Sequence, residues 1–183
     1  NVIVGSLVSG WYTSDNQNYY YFSPEDFAAV DGAQTIEGYN FKFENNLLVE
    51  GHWVATENGL RLRWGGFWCI DRWIVSGGKT YYFYGLYAQT GVGAIKHSTQ
   101  LGYFDENGVF MENYTGVVNY DGKLYFAKNG IIDYYGLVEL NDEYYYVNSS
   151  KKIVTGTYWV TKTNGLMPEG NYTFDENGKM IIA

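Results

Sequence analysis

Three glycines at a strict spacing of 20 residues, Gly116, Gly136 and Gly156, each open a unit with a β-forming pair: Val117-Val118, Leu137-Val138 and Thr157-Tyr158. Two intervals run in parallel, GVVNYDGKLYFAKNGIIDYYG against GLVELNDEYYYVNSSKKIVTG. Each reads as a strand, a polar turn, an aromatic strand, a second polar turn and a return to Gly. Upstream, Gly10, Gly32 and Gly51 stand 22 and 19 apart, and Phe104-Asp105-Glu106-Asn107-Gly108 recurs as Phe174-Asp175-Glu176-Asn177-Gly178. A unit this short cannot enclose a core. A lone two-stranded hairpin is marginal in water, so each has to cover its aromatic face with the next. The period therefore implies an all-β fold, a tandem β-hairpin repeat solenoid of about 20-residue units. The units fall near 10–31, 32–50, 116–135, 136–155 and 156–183, with a more irregular, longer-stranded part over 51–115. No polar linker divides the chain, which reads as a single repeat domain over 1–183.

The local signals agree. Asn-Gly occurs at 58–59, 107–108, 129–130, 164–165 and 177–178, and Asp-Gly at 31–32 and 121–122. Both dipeptides accept the positive φ angles of a two-residue type I′ hairpin turn. Around them, Lys123–Phe126, Tyr144–Val147, Thr80–Tyr84 and Tyr172–Phe174 are short, aromatic and β-branched, and read as strands. In the central part, Leu60–Trp64, Gly66–Ile70 and Arg72–Val75 read as longer ones. The exception is Ser23-Pro24-Glu25-Asp26-Phe27-Ala28-Ala29, where a cap, an N1 proline and two acids predict one or two turns of helix.

Composition narrows the function. With 20 Tyr, 10 Phe and 6 Trp in 183 residues, aromatic side chains exceed what a core requires. A ring can pack its face on the next hairpin and keep its polar tip wet, leaving aromatic shelves between units. The balance of 12 basic against 20 acidic residues gives a net charge of −8, which disfavours phosphate backbones, so no nucleic-acid partner is expected. Apolar runs are far shorter than the ~20 residues of a membrane span, and no basic segment with an apolar run behind it opens the chain. One cysteine, Cys69, excludes an internal disulfide framework and a cysteine-rich zinc site.

Units of the form Gly–apolar, polar turn, Tyr-Tyr-Tyr/Phe, Asn-Gly-like turn and Thr-Gly resemble the cell-wall-binding repeats. These include choline-binding modules, the glucan-binding repeats of glucansucrases and the repeats of clostridial toxins. Leu137–Gly156 is the clearest unit; Trp73–Phe83 and Trp11–Phe22 follow the same plan. The resemblance implies a terminal piece of a larger exported Gram-positive protein, secreted or held at the cell surface. It also implies a non-catalytic module whose partners are a cell-wall polysaccharide or external glucan and the other domains of the parent. In choline-binding repeats a Trp after the leading Gly joins a Trp-Tyr pair about seven positions later to cage a quaternary ammonium. Here Trp11 follows Gly10, with Tyr19, Tyr20 and Tyr21 behind it, whereas Trp73 is followed seven on by Thr80 and then Tyr81 and Tyr82. Val117 and Leu137 hold the leading positions of the regular units.

Trp53, Trp64, Trp68 and Trp73 crowd into 21 residues with His52, Phe67 and Arg72 among them. Sugar rings lay apolar C–H faces on indoles while nearby polar groups take their hydroxyls. Strand alternation puts Trp64 on one face with Leu62, towards the core, and Arg61 and Arg63 on the other. The ligand-binding residues expected are Trp11, Trp53, Trp68, Trp73, Tyr81 and Tyr82. No metal site or cofactor is expected; the acidic turns at 105–107 and 175–177 carry too few oxygens for calcium and serve the turn. No catalytic residue is expected either. Asp71 is read as an ion pair or turn residue, and Cys69 as a buried structural thiol. The alternative is a structural spacer or protein-interaction domain without sugar binding.

Overall fold

The computed structural model describes residues 7–182, which are all-β with no helix among them. Backbone contacts divide the chain into two compact units between Ala88 and Gln89. In the first unit β1 (Gly10–Tyr12) pairs with β2 (Tyr20–Phe22), and β3 (Gly32–Ile36), β4 (Tyr39–Glu44) and β5 (Leu47–Glu50) form one three-stranded sheet. β6 (His52–Thr56), β7 (Gly59–Trp64) and β8 (Phe67–Trp68) form a second, and β9 (Trp73–Ser76), β10 (Lys79–Tyr84) and β11 (Tyr87–Ala88) a third. In the second unit β12 (Gly91–Ala94) and β13 (Leu101–Phe104) pair, and β13 is joined by β16 (Ile131–Ile132). Three hairpins complete it: β14 (Gly116–Tyr120) with β15 (Lys123–Ala127), β17 (Gly136–Leu140) with β18 (Glu143–Val147), and β19 (Gly156–Val160) with β20 (Gly170–Phe174). Every pairing is antiparallel. Between Gly51 and Gly116, where the period blurs, the strands belong to three separate three-stranded sheets.

The core of the second unit is a row of small clusters, each shared by successive hairpins. Tyr146 and Leu137 pack with Val160, Phe174 and Met180 on one side of the β17–β18 ribbon. Tyr145, Val147 and Val138 pack with Phe126 and Ile153 on the other. One hairpin earlier, Tyr125, Ala127 and Val118 meet Ile132, Val92 and Leu101. A ribbon covered on both faces has no wet side, so the run Tyr144-Tyr145-Tyr146 need not alternate with polar residues. Backbone bonds tie the row together: Ile153 N–H donates to Leu124 O and Met180 N–H to Tyr144 O, both at 2.8 Å.

Turn chemistry follows the dipeptides in part. Asp121-Gly122 and Asn129-Gly130 carry paired positive φ, +51° with +67° and +51° with +74°, as type I′ turns require. Asn141-Asp142 does the same without glycine, at +53° and +63°. At Asn58-Gly59 the turn sits one residue earlier, on Glu57-Asn58, and Gly59 already pairs with Thr56. Asp105 and Asp175 close their loops with their own carboxylates: each Oδ1 accepts two backbone N–H groups, from Asn107 and Val109 and from Asn177 and Lys179, at 2.8–2.9 Å. Asn148 builds the same loop with an amide oxygen. That geometry accounts for the acidic turns.

Two expectations are corrected. The segment from Ser23 holds a single turn: Phe27 N–H donates to Ser23 O at 2.9 Å, and Phe27 then takes a φ of +59°, which stops a helix from propagating. The strand expected over 66–70 shortens to Phe67–Trp68, because Asp71 turns at φ +49° and exchanges hydrogen bonds with Gly85.

The repeat glycines are not equivalent. Gly136 has φ +107°, and a Cβ there would come within 2.7 Å of Lys162 O and 2.6 Å of Asn164 Nδ2. Gly156, at φ +74°, has open space around it. Gly156→Ala is expected to cost the ~1–2 kcal/mol of a left-handed alanine. Gly136→Ala adds ~1–3 kcal/mol of overlap. Urea midpoints of the two variants measure the difference, and equal shifts would contradict it.

Candidate functional site

The tryptophans of the first unit divide between core and surface. Trp64 is buried beside the fully enclosed Leu62, on the inward face of β7. Trp11 is half-buried, edge-on to Phe41 at 4.8 Å and stacked on Phe43 at 5.9 Å, with its ring over Gly66. Tyr81 and Tyr82 are buried and act as backing: Tyr81 lies 4.6 Å from the Trp53 ring and Tyr82 4.9 Å from that of Trp73. Their partners line clefts. Trp53 borders one of about 360 Å³ with Asn40 and His52. Trp73, 39% exposed, borders a larger one, of about 930 Å³.

That larger groove follows from strand alternation. In β9, Ile74 and Ser76 point inward while Trp73 and Val75 face out, and Val75 is 59% exposed. In β4, Phe41 and Phe43 point inward while Lys42 and Glu44 face out. Gly77 N–H donates to Val49 O at 3.0 Å and Gly51 N–H to Ser76 Oγ at 3.3 Å, so β5 and β9 lie side by side. The result is a groove lined by the apolar Trp73 and Val75 together with the polar Glu44, Glu50, Gln17 and Asn18. Lys42 forms an ion pair with Glu44 at 2.7 Å and stands opposite Glu50 in the β4–β5 register, next to the bulge, and both Lys42 and Glu50 also line the Trp53 cleft. Glu44 raises the Lys42 pKa, with a smaller contribution from Glu50.

The rim loop is built on Asp15. Its Oδ1 accepts N–H from Gln17 and Asn18 at 2.8 and 2.7 Å, and these bonds hold its carboxyl at about 2. Arg72 Nη2 donates to Asn16 O at 2.8 Å and anchors the loop to the groove.

Trp68 stands apart from the groove. The Arg61 guanidinium lies over its ring at 4.1 Å, and that of Arg63 over Tyr39 at 4.3 Å, with Glu37 paired to Arg63 at 3.0 Å. Asp71 is a turn residue, its Oδ1 accepting Gly85 N–H at 2.7 Å. Cys69 is buried, and burial pushes its thiol up to about 12, slightly offset by Arg72.

Several contributors escaped the sequence reading. Glu44 and Val75 face the groove by simple alternation from Phe43 and Ile74, a signal present in the sequence, whereas Glu50 shares the parity of the buried Leu48 and comes opposite Lys42 only through the β4–β5 bulge. In the second unit Trp159 is 56% exposed on a strand whose first four residues are all exposed. It stands where Asn119 and Glu139 stand in the two preceding units, a position those polar residues mark as wet.

No protein-family model and no curated protein matches the sequence. Solved structures do. CbpJ from Streptococcus pneumoniae matches with a TM-score of 0.50 at 18% identity, over 96% of this chain and 82% of that one. The chain has the fold of that protein. Choline binding protein F from the same organism, solved with a peptidoglycan analogue, gives 0.48 at 19% identity over 96% and 58% of the two chains. Alternansucrase in complex with isomaltononaose gives 0.31 at 16% over 93% and 16%. The resemblance thus holds at the level of fold, through CbpJ. The chain spans just over half of choline binding protein F and a small part of alternansucrase.

Two outcomes follow. A depressed carboxyl contributes order above its ordinary value near 3.8, and that order is lost as pH falls through about 2. The Gln17 and Asn18 amide resonances are therefore expected to stay fixed at pH 4 and to move near pH 2, and Asp15→Ala should release them at every pH. At pH 8 the Cys69 thiol is protonated and enclosed, so a thiol reagent should label it only in step with urea unfolding. Rapid labelling of the native chain would contradict its placement.

Proposed function

We propose that this chain is a non-catalytic carbohydrate-binding repeat module, with the Trp73 groove as its principal shelf. The observation that carries the reading is the groove's make-up: an exposed indole and an exposed valine in one lining with carboxylate, amide and basic groups. A sugar ring laid on Trp73 would find hydrogen-bond partners for its hydroxyls in Glu50, Gln17 and Asn18. Tyr82 behind Trp73 limits the ring's rotation, so less rotamer freedom is lost on binding.

The nearby acids favour binding over hydrolysis. Glu44 is committed to Lys42 and Asp71 to the Gly85 backbone. In this reading the hairpins form a solenoid of about 20-residue units along one repeat domain. It belongs to a larger exported protein, which it holds at the cell surface on wall polysaccharide or on an external glucan. Trp11 and Trp53 offer weaker contacts beside Trp73, and linked weak sites gain through effective concentration.

A second reading is a spacer or protein-interaction domain. It is favoured by the last hairpin, where Thr157, Tyr158 and Trp159 lie exposed. Exposed aromatic residues of this kind are enriched at protein interfaces.

Retention on insoluble polysaccharides, namely α-glucan, starch, cellulose and purified cell walls, separates the two. Trp73→Ala is expected to weaken retention on one of them about 10-fold, equivalent to ~1.4 kcal/mol. Trp159→Ala should leave that retention unchanged. Absence of retention on all four would reject the carbohydrate reading in favour of the second.

A further inference from the structure

All three arginines of the chain, Arg61, Arg63 and Arg72, fall within 12 residues, and two of them share the outward face of β7 opposite Leu62 and Trp64. His52, Arg63 and Trp68 form a row across β6, β7 and β8, as direct cross-strand neighbours. The Arg61 guanidinium stacks on Trp68 at 4.1 Å and the Arg63 guanidinium on Tyr39 at 4.3 Å, 5.9 Å from Trp68.

Stacking occupies the flat face of a guanidinium and leaves its edge of N–H donors open. Arg63 spends part of that edge on Glu37. Arg61 makes no hydrogen bond or ion pair among the described residues, and the Nε atoms of both arginines are buried without a partner. The chain has 20 acidic residues against 12 basic ones, so carboxylates are in surplus, yet none is paired with Arg61. An open fork already held flat by stacking gives up little freedom when it exchanges water for an anion. Oxyanions complete it best, since a carboxylate or phosphate accepts two parallel N–H bonds from one such edge.

We propose that the outward face of β6, β7 and β8 is a binding site for an oxyanion, the carboxylate or phosphate group of an acidic saccharide, received by Arg61 and Arg63. Trp68 and Tyr39 hold the two guanidinium groups flat. His52 Nδ1 accepts the Asn40 N–H at 3.1 Å, which keeps the imidazole proton on Nε2 as a further donor. The saccharide bearer, but not the oxyanion, rests on the carbohydrate reading above.

The test follows the arginine Nε–Hε resonances of the full chain during titration with D-glucuronate, D-glucose 6-phosphate, inorganic phosphate and methyl glucoside. The Arg61 and Arg63 signals are expected to move and saturate with at least one acidic sugar, to weaken as salt rises, and to stay still with methyl glucoside. A carboxylate source shows as glucuronate binding more tightly, a phosphate source as glucose 6-phosphate doing so. Arg61→Gln should raise the dissociation constant at least ~10-fold, as loss of a charged hydrogen-bond donor does. Arg61→Lys should keep the charge but recover only part of the binding, and it serves as the test if the glutamine variant fails to fold. Trp73→Ala should leave the titration unchanged, so a failed groove and a failed oxyanion site give different results. No movement with either acidic sugar, or equal movement with methyl glucoside, would overturn the proposal. Inorganic phosphate binding as tightly as both acidic sugars would overturn its saccharide part.

Discussion

A two-stranded ribbon has two faces and no interior, and everything else in this protein follows from the need to cover both. The β17–β18 hairpin meets it by splitting its side chains by parity: Leu137 and Tyr146 go to one neighbour, Val138, Tyr145 and Val147 to the other. No residue of the ribbon lies far from an edge, so a long side chain whose tip tolerates water suits many of the filling positions. Tyrosine meets both demands, and phenolic groups serve as local struts. Tyr114 donates to Val117 O at 2.7 Å and Tyr134 to Leu137 O at 3.1 Å, one repeat apart. The aromatic excess is thus first a consequence of architecture, and only its surplus is open to a ligand.

That order explains what the sequence made legible. Period, strand type and fold were readable because glycine spacing and β-forming runs are local signals reinforced at every repeat. The helix at Ser23 was misread because the capping signals are real, with Glu25 N–H held by the Ser23 hydroxyl at 3.2 Å, but no later residue sustains them. Phe27 takes positive φ instead, within a loop closed by the Ser23 N–H to Ala28 O bond, and its residue type does not mark it. Turns were half legible. Asp121-Gly122 behaves as its composition says, whereas Asn141-Asp142 adopts the same conformation without glycine, and Asn58-Gly59 slides by one residue.

The candidate site was legible as a cluster but not as an arrangement. Alternation assigns faces within a strand, yet it does not say which face meets a neighbouring hairpin. Tyr81 and Tyr82, adjacent and therefore on opposite faces, are both buried because both faces of β10 are covered. Trp68 could be placed on the face of Ile70, but nothing in the sequence showed that Arg61, seven residues away, would lie on its ring. That contact spans two strands, and only the register of β7 on β8 creates it. It also shows how a hairpin scaffold can fill an aromatic surface from within, with a guanidinium of the same chain occupying the π-face that an external cation would need.

Function, in this architecture, belongs where the covering of faces is interrupted. The bulge between Lys42 and Phe43 breaks the β4–β5 register, and beside it Trp73 and Val75 stay uncovered. On β7, Arg61 and Arg63 take one face, and the rings of Trp68 and Tyr39 cover the flat side of each guanidinium. On β19 the positions that bury Gly136, Leu137 and Val138 one repeat earlier hold Gly156, Thr157 and Tyr158 in the open. Each interruption is a change of residue type at a position whose geometry the repeat has already determined. A new surface therefore arises by substitution on a fixed ribbon, without a new loop or a rearranged core.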